Sequence, residues 1–186
     1  MTHVFREIER VINMGTNDDR RENDVEHSFQ LALCGWYIVT TDKLGLDVNR
    51  VIKYGLIHDL VEVYAGDTYA FDPDPSVHAT KKDREHLALL KLREKFPEFP
   101  DMVETIEQYE KREDAESKFV YALDKIISPL NIYLSDGKTW KDENVTLQQM
   151  IDLKQEKVNV DPEIAAYFEK MKELFAREED RLFPKS

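Results

Sequence analysis

A long apolar stretch of this chain contains a histidine and an aspartate side by side. The stretch is VIKYGLIHDLVEVYAGD, in which His58 and Asp59 are adjacent. Packing gives a buried helix no reason to hold two ionisable groups, because a buried charge is costly unless it is paired or bound to a metal. The pair therefore points first to a bound ion.

The residues around this pair predict one helix over about residues 48–65. Asp47 precedes it as a favourable N-cap, and a glycine follows it as a favourable stop. On such a helix the side chains of His58, Asp59 and Glu62 point into roughly the same quadrant. The predicted helix thus carries three ionisable side chains on one side.

Two more ionisable residues lie on apolar helical faces elsewhere. His27, in VEHSFQLALCGWYIV, begins an apolar stripe, and Asp124 belongs to another in SKFVYALDKIISPL. A lone buried aspartate requires an ion pair or a metal. Together with His58 and Asp59 they form a mixed nitrogen and oxygen set that suits Mn, Fe, Co, Ni or Zn, with open positions left for water and a substrate oxygen.

Each of these residues also has an ordinary structural interpretation. His27 could be a hydrogen-bonded core histidine, and His58 beside Asp59 could be a helix-surface pair. Asp124 could form a buried ion pair with a lysine or arginine. All three alternatives would have to hold at once, whereas one metal site explains the residues together.

The order of these residues resembles the HD-domain metal-dependent phosphohydrolase superfamily. The stretches ENDVEHSFQLAL and HDLVEVYAGD are similar to those of its 5'-deoxynucleotidase branch and small HD-domain hydrolase relatives, and the likeness spans about residues 4–134. It implies an all-α HD-domain bundle and one divalent ion (Mn, Co, Mg, Zn, Fe or Ni) held by His27, His58, Asp59 and Asp124. One departure is that VINMGTNDDRREN lacks the Arg-Trp pair that precedes the first ligand in that branch.

The resemblance maps Glu62 and Asp67 to functional positions, and the roles that follow, including those of the nearby cations, are our hypothesis for the reaction. Glu62 would position the attacking water, although it could instead hold a ligand histidine in one tautomer. Asp67 would protonate the leaving oxygen or bind the sugar, although it could be a turn residue. Arg20, Arg21 or Lys81 would bind phosphate oxygens, and for Lys81 a solvated helix start is the alternative.

The helical periodicity predicts seven or eight helices and no strand. Beyond the segments above, we expect helices and one loop in the following places: helices over about residues 3–14, 78–96, 101–111, 145–157 and 162–181, and a loop over DTYAFDPDPS. With 186 residues, the chain is expected to be one domain over residues 1–186, with a metal-site core over about 20–135 and C-terminal helices over about 145–181.

The composition of the chain limits the classes of molecule that it is expected to bind. A formal net charge of -12 argues against a nucleic-acid polymer or an anionic membrane as partner, but a metal and a few cations still permit a small phosphate. The N-terminal residues show no hydrophobic signal region, so a cytoplasmic location is expected. The resemblance to small HD-domain hydrolases implies a homodimer.

The resemblance implies a divalent-metal-dependent phosphohydrolase, and more narrowly a phosphomonoesterase acting on nucleoside 5'-monophosphates. The missing Arg-Trp pair keeps a second possibility open, in which the substrate is another small phosphate or a pyrophosphate-containing metabolite. A third possibility is a non-catalytic helical dimer that binds a nucleotide or a metal.

Overall fold

The chain folds mainly into α-helices in this computed structural model, which describes residues 2–13, 20–68 and 74–185. The expected all-α class is confirmed, with one small two-stranded sheet added. The elements, in chain order, are α1 (Thr2–Phe5), β1 (Glu9–Asn13), β2 (Arg21–Asn23), α2 (Asp24–Thr41), α3 (Val48–Ile57), α4 (Glu62–Ala65), α5 (Pro75–Ala79), α6 (Lys81–Lys95), α7 (Pro100–Lys111), α8 (Ala115–Leu134), α9 (Lys138–Asp142), α10 (Leu147–Val158), α11 (Pro162–Arg177) and α12 (Glu179–Leu182).

The helices fall into two compact units. Unit 1 consists of Met1–Arg10 and Asn23–Glu113, and unit 2 consists of Val11–Glu22 and Asp114–Ser186. Asp124 thus belongs to the same unit as the C-terminal helices, whereas the sequence grouped it with a core over residues 20–135. The single domain over the whole chain stays a prediction.

The expected helix over residues 3–14 is wrong. The described part of this segment holds the short helix α1 and then strand β1, which pairs with β2. The β-branched residues Val11 and Ile12 favour an extended backbone, and the sheet supplies the hydrogen bonds that a helix would otherwise make. Met14, at the end of the predicted helix, lies outside the described residues.

The single helix expected over residues 48–65 is divided in two. Helix α3 begins after its predicted cap, since Asp47 Oδ1 accepts hydrogen bonds from the Asn49 and Arg50 amides. After α3 the chain makes tighter bonds to the third preceding residue, for example from Glu62 N to Asp59 O at 2.9 Å. These bonds are typical of a 3₁₀ turn, in which side chains three residues apart eclipse one another.

Smaller differences occur after this turn. Residues 69–73 of the predicted loop lie outside the described part, and the loop's last two residues, Pro75 and Ser76, begin helix α5 after the cap Asp74. Helix α6 begins at Lys81, so the expected start at residue 78 is too early. The helices expected over 101–111, 145–157 and 162–181 are present as α7, α10 and α11 with α12, whereas α9 was not predicted.

Helices α2 and α3 of unit 1 approach each other unusually closely. A Cβ atom added at Gly55 would lie 2.7 Å from Ala32 Cα and 2.9 Å from Ala32 N. Real side chains do not tolerate such distances to a backbone, so only glycine fits here. The approach fixes α2, which carries His27, against the end of α3, where His58 is located.

Unit 2 is built on α8. Its core includes fully buried aromatic side chains from α8 and α11, namely Phe119, Phe168 and Phe175. Within this unit Asn131 Nδ2 donates a buried hydrogen bond to Glu22 Oε1 at 2.8 Å. Among the described helices of the chain, none is both long enough and apolar enough to cross a membrane.

The substitution Gly55→Ala tests whether the close helix approach matters. Alanine favours an isolated helix by about 1 kcal/mol over glycine, so a loss of stability must come from the clash with Ala32. We expect a net loss of about 1–3 kcal/mol, measured by chemical denaturation.

The matched control is Gly45→Ala, because nothing lies within 4 Å of a Cβ at Gly45. It should leave the free energy of unfolding nearly unchanged. Equal stability of both variants and the wild type would show that the α2–α3 contact adapts without cost.

Candidate metal centre

Three of the four predicted metal ligands lie together in unit 1. Potential ligand atoms of His27, His58 and Asp59 all lie within 4.8 Å of one another. The two imidazole rings have their centroids 5.2 Å apart, and both histidines are buried. Residues separated by about thirty positions in the sequence are therefore brought to one point by α2 and the end of α3.

The orientation of His58 follows from the end of helix α3. Its Nδ1 lies 3.0 Å from the Gly55 carbonyl oxygen, and its Nε2 lies 2.9 Å from Asp59 Oδ2. A proton on Nδ1 that is donated to the carbonyl leaves the lone pair on Nε2, the tautomer that binds metal ions. Gly55 thus serves both the helix contact and the orientation of this imidazole.

A cluster of three acids lies beside the His27, His58 and Asp59 cluster, and Asp59 belongs to both. Carboxylate oxygens of Asp24, Asp59 and Glu62 also lie within 4.8 Å of one another. Asp24 and Glu62 are only 0% and 3% exposed. The atoms Asp24 Oδ2 and Glu62 Oε2 have no hydrogen-bond partner among the residues that the structure describes. Buried carboxylate oxygens in this state are suited to a cation or a water molecule.

Burial and mutual repulsion raise the pKa values of two of these acids. Burial, followed by the neighbouring Asp59 carboxylate, raises the pKa of Asp24 to about 7. Burial, followed by repulsion from Asp59, also raises the pKa of Glu62 well above its usual value. The Asp67 and Asp24 carboxylates add further repulsion. The charge balance of the site therefore favours an added cation.

Arg10 is a residue of this site that the sequence analysis missed. Its Nη1 donates to Asp59 Oδ2 at 2.8 Å and lies 3.5 Å from Asp24 Oδ1. Strand β1 places it there, in a segment whose sequence predicts a helix. The sequence signal for this strand is a pair of β-branched residues directly after the arginine, in ERVIN. Asp24, a charged residue three positions before His27, was also overlooked.

Asp124, the fourth predicted ligand, lies in unit 2. It is buried on α8, with 5% of its surface exposed, and its carboxylate contacts the ammonium group of the adjacent Lys125. This contact corresponds to the ion-pair alternative that the sequence left open. The assignment of Asp124 as a metal ligand stays a prediction.

The other predicted site residues are placed as follows. Lys81 Nζ lies 3.9 Å from Glu62 Oε1 and 3.4 Å from Glu85 Oε1, so it does lie beside an acid of the site. Asp67 follows α4 in unit 1, and burial raises its pKa. Arg20 and Arg21 are exposed in unit 2, where Arg20 Nη1 lies 3.4 Å from the Arg21 carbonyl oxygen. Their roles stay predictions.

A family model described as HD domain matches residues 4–164. The chain belongs to the HD-domain family. The match covers most of the chain, including the segments with all four predicted ligands, and it confirms the resemblance drawn from the motifs to the HD-domain metal-dependent phosphohydrolases. The family membership implies a divalent metal.

Curated relatives include 5'-deoxynucleotidase HDDC2 of Homo sapiens, which is 31% identical over 111 residues, 59% of this chain and 52% of that protein. The Bos taurus protein of the same name is 32% identical over the same share of each. The chain spans about half the length of these relatives.

A solved structure resembles the whole chain. The crystal structure of a predicted metal-dependent phosphohydrolase from Magnetospirillum magnetotacticum MS-1 superimposes with a TM-score of 0.81 at 29% identity. The alignment covers 98% of this chain and 90% of that one. The likeness therefore extends to the C-terminal helices beyond the family match.

The residues present fit a divalent ion. Two imidazoles and a carboxylate within mutual ligand distance form a donor set that suits first-row divalent metals, and further buried carboxylate oxygens lie beside it. The positive charge of an ion would also offset the repulsion among Asp24, Asp59 and Glu62.

The substitution His58→Ala tests the metal centre directly. Loss of one imidazole from the set should weaken the binding of Mn²⁺ or Co²⁺ by at least 10- to 100-fold, measured by isothermal titration calorimetry of the metal-free protein. His86→Ala is the control, because His86 is exposed on α6. Unchanged affinity in His58→Ala, with its helical content intact, would contradict the assigned centre.

Proposed function

We propose that this chain is a divalent-metal-dependent phosphomonoesterase that acts on nucleoside 5'-monophosphates. The observation that carries the proposal is the cluster of His27, His58 and Asp59, with the buried carboxylates of Asp24 and Glu62 beside it. Family membership supports phosphate-ester hydrolysis as the reaction class. The nucleotide preference rests on the relatives that are named 5'-deoxynucleotidase.

The metal would be held by His27, His58 and Asp59, with Asp124 proposed as the fourth ligand. When bound, a divalent ion supplies Lewis acidity and neutralises phosphate charge. The mixed donor set is compatible with Mn, Co, Zn, Fe or Ni, and Mg is also included among the proposed ions.

Glu62 is proposed to orient the attacking water and to accept its proton. Its carboxylate is buried beside Asp59, and its Oε2 has no hydrogen-bond partner among the described residues. Its raised pKa makes this carboxylate a stronger base than an exposed glutamate. The neighbouring Lys81 ammonium group, 3.9 Å from Glu62 Oε1, would balance the charge.

Positively charged side chains are proposed to receive the phosphate, first those of unit 1. Arg10 lies against Asp59, and a guanidinium can bind two phosphate oxygens at once. Lys81 supplies a second positive charge beside Glu62. Arg20 and Arg21 remain further proposals for this role. Asp67 is proposed to protonate the leaving oxygen or to bind the sugar.

Two other functions follow from particular observations. The missing Arg-Trp pair favours another small phosphate or a pyrophosphate-containing metabolite as substrate. A non-catalytic helical dimer that binds a nucleotide or metal would also need the ligand cluster, but it would not need the buried Glu62. A cytoplasmic location and the absence of polymer or membrane partners stay predictions.

A substrate panel tests the proposal. Phosphate release should be measured from ribo- and deoxyribonucleoside monophosphates, generic phosphate esters and pyrophosphates, with Mn²⁺, Co²⁺, Mg²⁺ or Zn²⁺. We expect metal-dependent release from nucleoside 5'-monophosphates that is lost in Asp59→Asn. Asp101→Asn is the control, because Asp101 is largely exposed and its carboxylate pairs with Lys53 rather than with a residue of the cluster.

Each result of the panel decides between the candidates. Release only from other esters or pyrophosphates would replace the nucleotide assignment. Full metal binding without turnover of any substrate would favour the binding protein. Release that survives in Asp59→Asn would separate the activity from this cluster.

The substitution Glu62→Gln tests the proposed base. An amide cannot accept the proton, so kcat should fall by about 10²- to 10⁴-fold while the affinity for metal changes little. Glu85→Gln is a matched control, because Lys81 also contacts Glu85. Equal losses in both variants would mean that Glu62 acts only through Lys81.

A further inference from the structure

The backbone directly after α4 carries Asp67 beside the metal centre. The chain leaves this helix through Gly66, whose φ of 76° is an angle that residues with a side chain rarely adopt. Burial raises the pKa of Asp67, and the charges of Arg10 and Asp59 also act on it, so the carboxylate lies near the charged groups of the site. The backbone over residues 65–68 therefore sets where this carboxylate is located.

One arginine holds this backbone on both sides of Asp67. Arg84 Nη1 donates to the Ala65 carbonyl oxygen at 2.6 Å, and Arg84 Nη2 donates to Thr68 Oγ1 at 2.8 Å. Ala65 lies two positions before Asp67, and Thr68 follows it directly. Arg84 Nη2 also donates to the carbonyl oxygen of Val77 in α5 at 3.2 Å. The guanidinium thus binds three neutral oxygen atoms, two of which flank the aspartate.

Arg84 belongs to a turn of α6 that reaches the site through a second side chain. Lys81, three positions earlier, lies 3.9 Å from Glu62 Oε1 and 3.4 Å from Glu85 Oε1. Side chains three positions apart lie on the same side of a helix. The first turn of α6 therefore contacts Glu62 through one cation and the backbone around Asp67 through another.

We propose that Arg84 is a positioning residue, which holds Asp67 where its carboxylate meets the substrate. A guanidinium carries its donors in a rigid fork, so it fixes two oxygen atoms relative to each other in a way that an ammonium group cannot. Both Nη atoms already donate to oxygens of the chain, so we do not assign Arg84 to the phosphate. This inference rests on the proposed function, in which Asp67 acts on a phosphate ester.

A double-mutant cycle of Arg84→Met and Asp67→Asn tests the proposal, with Mn²⁺ and the best substrate of the panel. Misplacing a reacting group by about 1 Å costs up to about 100-fold, so Arg84→Met should lower kcat/KM by about 10- to 100-fold. The change should appear in the same parameter, kcat or KM, that Asp67→Asn changes. The double variant should match Asp67→Asn within about twofold.

Two results of the cycle would contradict this role. Losses that multiply in the double variant would mean that Arg84 acts apart from Asp67. Wild-type kinetics in Arg84→Met would mean that the carboxylate keeps its place without the guanidinium. Circular dichroism and the melting temperature show whether each variant is folded.

Three further variants separate position from charge and from folding. Arg84→Lys keeps the charge without the fork and should retain most of the loss, whereas full activity would overturn the proposal. Thr68→Val removes one acceptor with little change in shape, so it serves if Arg84→Met does not fold. It should cause a smaller loss in the parameter that Asp67→Asn changes, and no loss would overturn the proposal. Arg93→Met is the matched control on α6, because Arg93 pairs with Glu107 at the surface, and an equal loss there would also count against Arg84.

Hydrogen exchange distinguishes a failure of this inference from a failure of the proposed function. If the wild type hydrolyses no phosphate ester, the proposed function is wrong, but the contact of Arg84 can still be tested. Peptides that cover residues 62–68 should exchange about 10-fold faster in Arg84→Met than in the wild type, with peptides of α7 unchanged. Equal exchange of residues 62–68 in the two proteins would overturn the inference, whatever the activity.

Discussion

The close contact between α2 and α3 is the constraint on which the site depends. Gly55 leaves room for the Ala32 backbone, and its carbonyl oxygen also accepts from His58 Nδ1. One residue therefore sets both the distance between two helices and the direction of an imidazole. His27 can meet His58 only because the helices are this close, so packing and chemistry are fixed by the same contact.

Charge balance is the second organising feature of unit 1. Three carboxylates lie close together, two of them buried and one partly exposed, and Arg10 contacts Asp24 and Asp59. The guanidinium offsets only part of the repulsion, since the pKa values of Asp24 and Glu62 remain raised. A buried acidic cluster of this kind costs stability in the protein alone and is retained where a cation or a reaction uses it.

The sequence was sufficient to predict the fold class and to single out three residues that the structure brings together. Polar residues in apolar stripes are a strong signal, which identified His27, His58 and Asp59. The break after α3 was not predictable, because no proline or glycine marks residues 58–61 and the tightening shows only in the hydrogen bonds. Arg10 was missed for a related reason, since its position depends on a strand that forms only by pairing with distant residues.

Unit 2 has a consequence for the order in which the chain folds during synthesis. Its segment Val11–Glu22 leaves the ribosome early, but the rest of the unit begins only at Asp114. The hydrogen bond between Asn131 and Glu22 spans 109 residues, and closing so long a loop is slow. All residues of unit 1 are already synthesised by then. The Glu22 carboxylate therefore receives its bond from Asn131 only after the whole of unit 1 has been synthesised.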